Sequence, residues 1–185
     1  MFHHSQLLVW FGLSICFSIY GLGMRSFRTG GLRWQQILLV AASYAATLTT
    51  FAAVWAYPPT WAGALVGVGL CAAGSWLFIR SRWTHRGTRP AFALGTPQPV
   101  SFQQHGPYLY IRHPIYSAYL LGWLVGPLAT GQAYLLAVPL VMGVVFFLIA
   151  RQEEIAFSTS AYAASYQQYR KRTGMFIPRW FKHSA

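Results

Sequence analysis

No aspartate occurs in these 185 residues, and glutamate occurs only at the neighbouring positions Glu153 and Glu154. Charged residues of either sign make up 9% of the chain and hydrophobic residues 55%, where ordinary soluble domains carry about 25% charge. A shortfall of that size excludes a water-solvated surface over most of the molecule. Cysteine is equally scarce. Cys16 and Cys71 each fall inside an apolar run, which excludes a disulfide framework or a zinc-type ligand spacing and leaves small apolar packing as their role. No metal is expected, and the composition is that of an integral membrane protein.

Long hydrophobic runs take the place of the missing charge. A bilayer core about 30 Å thick needs about 20 apolar residues per helix, and residues 5 to 24, 34 to 56 and 61 to 79 meet that length. Residues 115 to 128 and 132 to 150 are two further runs, the first of them short for a full span. Ala129-Thr130-Gly131 between them is brief enough to make an antiparallel hairpin. The initial run has no preceding lysine or arginine and no clear cleavage pattern, so it reads as a retained helix. The expectation is one all-α membrane domain over residues 1–185 with about five transmembrane helices. Three spans lie within 1–79; the region 80–185 carries the hairpin 115–150 and a terminal amphipathic helix.

Fourteen lysines and arginines give a net charge of +12. Arg25, Arg28 and Arg33 follow the first run, and Arg80, Arg82, Arg86, Arg89 and Arg112 follow the third. Arg151, Arg170, Lys171, Arg172, Arg179 and Lys182 follow the fifth. The amino-terminal segment, the Pro58-Pro59 connection and the turn after the fourth run carry none. Five spans therefore gather every cation on one face. The positive-inside rule makes that face the cytoplasmic side of an inner or plasma membrane, with the amino terminus outside and the carboxyl terminus inside. Cations placed this way attract membrane lipids, and no recognition helix accompanies them, so nucleic acid is not an expected partner.

The polar chemistry is confined to residues 80–114 and 151–185. After Thr96-Pro97-Gln98-Pro99, which cannot be regular helix, come His105-Gly106-Pro107-Tyr108 and then Tyr110-Ile111-Arg112-His113-Pro114-Ile115-Tyr116. Proline has no N–H to donate and fits the first helical position, so Pro114 is expected to start the fourth helix. Arg112 and His113 then sit where unpaired backbone N–H groups favour an anion. Tyr110 and Tyr119 are expected in an interfacial aromatic belt. In the second stretch the glutamates precede Tyr162, Tyr166 and Tyr169, whose spacing places them on one face of an amphipathic helix with a basic end. Neighbouring helical positions point about 100° apart, so the two carboxylates are not expected to face the same partner. An ionisable side chain near membrane depth is a functional-site candidate.

These residues resemble the integral membrane methyltransferases that include isoprenylcysteine carboxyl methyltransferase and the phospholipid N-methyltransferases. The likeness covers residues 100–178: His-Gly-Pro-Tyr, Arg-His-Pro-Ile-Tyr, the hairpin, Glu153-Glu154 and Tyr166-x-x-Tyr169. It implies S-adenosylmethionine held by Val100, Ser101, Phe102, Gln103, Tyr108, His113, Pro114, Ile115, Tyr116 and Glu153. It further implies Arg112, His113 and Glu154 as catalytic residues and Arg151 as the cation nearest the substrate. The implied acceptor is a lipid-like or prenylated small molecule, foremost an isoprenylcysteine carboxylate, with a phospholipid amine or a small thiol as alternatives. Three departures bear on this, one of them a spacing from Glu154 to the last helix that is one residue longer than the family's. Ile149 stands where prenylcysteine enzymes carry a substrate-holding arginine, and Tyr162-Ala163 stands where the family commonly has Phe-Gly. Two other function classes compete: an NADPH-dependent sterol or enone reductase, and a non-catalytic scaffold or transporter. The compact Arg-His-Pro-Ile-Tyr and Glu-Glu pattern weighs against the first, and spans without charge weigh against transport.

Overall fold

A helix that is apolar on every side has no stable place in water. Among the residues described, four helices combine that character with the length to cross a bilayer: His4–Gly23, Trp34–Ala56, Trp61–Thr84 and Ala133–Ser158. The computed structural model describes residues 3–24, 34–85 and 103–179. Its helices are α1 (His4–Met24), α2 (Trp34–Ala56), α3 (Trp61–Thr84), α4 (Pro114–Thr130), α5 (Ala137–Ser158) and α6 (Ala163–Arg172), with short 3₁₀ turns at Gly106–Leu109 and Ala133–Leu136. Together they form an integral membrane helical bundle. Val100, Ser101 and Phe102, and the cations Arg25, Arg28, Arg33, Arg86, Arg89 and Lys182, lie outside the described residues.

Pro114 opens α4 as expected, and Gly131, with φ of +73°, closes it by donating its N–H to the Pro127 carbonyl at 3.0 Å. At 17 residues and 1.5 Å per residue, α4 spans about 25 Å, short of the hydrocarbon core. Its position explains the length. It packs against α1, α2, α3 and α5, and Ala118, Trp123 and Val125 are fully buried. A helix enclosed by protein has no need to match lipid.

Small residues let α3 approach that hub. Gly63, Gly67 and Gly74 meet Ala129, Val125 and Ala118 of α4, the close backbone contact that membrane helices use where no hydrophobic force drives them together. A Cβ on Gly63 would overlap the Ala129 carbonyl oxygen, whereas one on Gly69 meets nothing within 4 Å among the described residues. Gly63→Ala is therefore expected to destabilise the bundle by about 1–3 kcal/mol, and Gly69→Ala to leave it unchanged. Unfolding of both variants in detergent checks this, and equal stability would contradict it. Tyr20 of α1 donates its hydroxyl to the Ala118 carbonyl at 2.8 Å, and Trp123 donates its indole N–H to Thr47 Oγ1 of α2 at 3.2 Å.

Three expectations change. Tyr119 is not in an aromatic belt: one turn beyond Tyr116, it faces inward against Tyr20 at 4.7 Å and Trp123 at 5.6 Å. Tyr110 is 61% exposed. Helix α3 continues past residue 79 through Arg80 and Arg82, because backbone hydrogen bonds carry a helix beyond its apolar stretch. Tyr162 precedes α6, so Tyr166 and Tyr169 alone form its buried face. Cys16 and Cys71 are free and buried, within the cluster that joins α1, α3 and α4. The up-down order of the helices brings the end of α3, the start of α4, the end of α5 and α6 to one end of the bundle, and the described cations with them.

Candidate active site

Glu154, near the end of α5, is buried, and its surroundings account for that. Its Oε1 accepts a hydrogen bond from Arg112 Nε at 2.7 Å, and its Oε2 lies 3.3 Å from Arg170 Nε. A buried carboxylate needs such partners. Arg112 also donates through Nη1 to the carbonyls of Arg170 and Thr173.

Arg112 is held in place by a strap, residues 173–178, that returns over the start of α4. The Arg112 N–H donates to the Gly174 carbonyl at 2.8 Å, the Gly174 N–H to the Tyr110 carbonyl at 3.0 Å, and the His113 N–H to the Met175 carbonyl at 3.0 Å. Ser117 Oγ donates to the Phe176 carbonyl at 2.7 Å. The anion site expected at the start of α4 is thereby narrowed. The N–H groups of Arg112 and His113 are committed to the strap, leaving those of Ile115 and Tyr116 as first-turn donors. His113 occupies the N-cap position without a side-chain capping bond.

The His113 ring turns to the glutamates. Its Nδ1 lies 3.4 Å from Glu153 Oε2 and its Nε2 lies 3.4 Å from Glu154 Oε1. The expectation that the two carboxylates cannot face one partner is therefore overturned. An imidazole presents nitrogens on two edges, and two flexible glutamates leaving a helix about 100° apart reach one edge each. Glu153 Oε1 also accepts from the Tyr116 hydroxyl at 2.8 Å. The Glu153 side chain stays 31% exposed, against 3% for Glu154, so one carboxylate is open and the other is sealed.

Beneath the pair stands a column of rings. His113 stacks on Tyr116 at 5.6 Å, Tyr116 on Phe146 at 4.6 Å, and Phe146 on Trp123 at 5.7 Å. Burial by itself would lower the His113 pKa. The two glutamates outweigh it and raise the value above its ordinary 6.5. The stability His113 contributes is then complete below pH 6.5 and is lost as pH rises through the higher folded value. Unfolding midpoints of the wild type are expected to fall as pH is raised from 6.5, and His113→Asn to flatten that slope; an identical slope in the variant would rule this out.

Tyr108 joins three elements. Its hydroxyl lies 3.0 Å from His85 Nε2 at the end of α3, and its carbonyl accepts from the Tyr169 hydroxyl of α6 at 2.7 Å. Burial, with the charge of Arg82, pushes His85 down to about 4, and burial raises the Tyr108 phenol. Both rings are neutral at physiological pH. Gln103 is half-buried ahead of the turn that carries Tyr108, Pro114 is fully buried, and Ile115 packs on the α1–α3–α4 core. Arg151 is exposed, and two residues along a helix is about 200° of rotation, so it lies on the far side of α5 from Glu153. It is not gathered into the cluster.

Arg170, Thr173 and Phe176 complete the site without having been singled out in the sequence. Arg170 read as one of three cations ending a helix, and nothing periodic marked the strap. Its single signal was Gly174-Met175 following the last helical residues.

A family model described as phospholipid methyltransferase matches residues 62–165, more than half of the chain. The chain is 30% identical over 126 residues to methanethiol S-methyltransferase 2 of Bradyrhizobium diazoefficiens. That alignment covers 58% of this chain and 48% of the relative, so the chain spans about half the relative's length. No solved structure matches the chain.

Proposed function

Because the chain belongs to the phospholipid methyltransferase family, we propose that it transfers a methyl group from S-adenosylmethionine to a small thiol. The observation that carries the reading is Glu153: a partly open carboxylate pinned by Tyr116 at 2.8 Å beside a sealed one. These residues fit the cofactor's chemistry. Glu153 matches its ammonium group, and the Ile115 and Tyr116 N–H groups at the helix start match its carboxylate. Once bound, S-adenosylmethionine supplies a methyl carbon already activated by its sulfonium.

In this reading each residue of the chain has a separate task. Tyr116 fixes the rotamer of Glu153. His113 sits between the glutamates, which favour its charged form. Arg112 and Glu154, expected among the catalytic residues, are positioning residues that act through His113. The ring column keeps water from the reacting atoms, and alignment of the reactants supplies most of the acceleration.

The acceptor follows from what the site lacks and from what surrounds it. Ile149 is 7% exposed and apolar, and Arg151 points away, so neither of these two positions offers a cation to a prenylcysteine carboxylate. A thiol reacts as its thiolate, and sulfur is intrinsically the strongest nucleophile among the three acceptors, so it asks least of the residues around it. The relative whose name specifies a thiol acceptor supports the same choice. The family match and the open carboxylate favour methyl transfer over the reductase and scaffold readings.

The acceptor is tested by supplying methyl-labelled S-adenosylmethionine with methanethiol, N-acetyl-farnesylcysteine or phosphatidylethanolamine. Label is expected in the thiol. Transfer to either of the other two but not to the thiol would overturn this assignment.

A further inference from the structure

Trp76, Ile79, Arg80 and Trp83 follow one another at the three- and four-residue intervals that stack side chains on a single helix face. Near the end of α3 they line a groove of about 510 Å³. Gly74, Phe78 and Ser81 are buried on the opposite side of the helix, while both indoles are exposed, so the groove faces outward from the bundle. Its depth follows from the helix rise. Trp61 opens α3 and is also exposed. Arg80 lies nineteen residues later, about 29 Å along the axis at 1.5 Å per residue, which matches a hydrocarbon core about 30 Å thick. Trp76 and Trp83 bracket that boundary, the level at which tryptophan is enriched in membrane helices.

The Arg80 guanidinium carbon lies 5.8 Å from the centre of the Trp83 ring, within cation–π reach. Such stacking orders the flat face of the group and leaves its N–H edge for a planar, two-oxygen partner. That edge is unused. Outside the helix backbone, Arg80 takes part in hydrogen bonding through its carbonyl, which accepts from Thr84 Oγ1 at 3.0 Å. Its side chain makes no hydrogen bond or ion pair among the described residues. The two glutamates of the chain are both engaged at the start of α4: Glu153 with Tyr116 and His113, Glu154 with Arg112, Arg170 and His113. No carboxylate side chain is left for Arg80, and the bilayer supplies phosphates at this depth.

We propose that this groove holds one anionic phospholipid, with its phosphate on the Arg80 guanidinium and the upper part of an acyl chain along Ile79 and Trp76. The guanidinium fork matches two phosphate oxygens, and the indole and isoleucine surfaces suit the chain beneath. A lipid of net negative charge is favoured over a zwitterionic one, whose own cation competes with Arg80 for the phosphate. Anionic lipids are also those that gather at a basic membrane face, and this chain carries a net charge of +12. The groove is separate from the methyl-donor site proposed above, since Glu153, Tyr116 and His113 do not line it. The inference holds whichever acceptor the protein methylates.

The test is native mass spectrometry of the purified full chain in neutral detergent, titrated separately with phosphatidylglycerol and with phosphatidylcholine of the same acyl chains. A saturable one-lipid adduct is expected, formed at lower concentration with phosphatidylglycerol. Arg80→Gln is expected to raise the half-saturating phosphatidylglycerol concentration about tenfold. Arg80→Lys, which keeps the charge and loses the fork, falls between. Trp83→Leu, which keeps an apolar wall and removes the stack, should raise it about threefold. Arg172→Gln, at an exposed position on α6, should stay within about twofold. Absence of a saturable adduct overturns the proposal, as does equal affinity for the two lipids. So does an Arg172→Gln effect as large as that of Arg80→Gln, because the response is then one of bulk charge.

Discussion

Glu153→Gln is expected to lower kcat/KM for S-adenosylmethionine about 100-fold, the cost of replacing a charged partner of a cation by a neutral one. The folded state should hardly notice. The side chain is 31% exposed, and glutamine keeps an oxygen for the Tyr116 hydroxyl, so the unfolding midpoint should stay close to that of the wild type. Labelled methyl transfer together with thermal unfolding in detergent separates the two effects. A variant that loses stability and keeps kcat/KM would reverse the roles assigned to the glutamates.

Glu154→Ala is expected to do the opposite at the level of folding, with a loss of about 3–5 kcal/mol. The Arg112 side chain is 9% exposed and would be left with the backbone carbonyls of Arg170 and Thr173. Arg170 would lose its nearest carboxylate, and His113 would keep one anionic neighbour instead of two. The size of the effect comes from stranding buried cations and exceeds the net worth of the ion pair itself. Denaturant unfolding of the purified variant measures it, and a loss under about 1 kcal/mol, the range of an exposed ion pair, would show that Glu154 is not the sealed partner described here.

Much of this architecture was legible in the chain because its signals are local. Runs of apolar residues fixed α1 and α2 to within a residue, and a proline without a free N–H marked the start of α4. The presence of only two acidic residues, both at the end of one apolar run, pointed to the site. What could not be read depends on contacts between distant segments. The strap pairs Gly174 with Ile111 across more than sixty residues with no periodic pattern, and through it Arg170 and Thr173 come to surround Arg112. Tyr119 was misplaced because a tyrosine near a helix end suits both an interface and a core, and only the neighbouring Tyr20 and Trp123 decide between them. The two glutamates were expected to diverge because a helix sets the direction of the Cα–Cβ bond. The reach of the side chain and the two nitrogens of His113 bring them together again.

The central claim is that the open carboxylate of Glu153, beside the His113–Tyr116 stack, belongs to a site for S-adenosylmethionine. Its most direct test is calorimetric titration of the purified wild-type protein with S-adenosylmethionine and, separately, with NADPH. Saturable binding of S-adenosylmethionine and no binding of NADPH is the predicted result; saturable NADPH binding with no response to S-adenosylmethionine would contradict it.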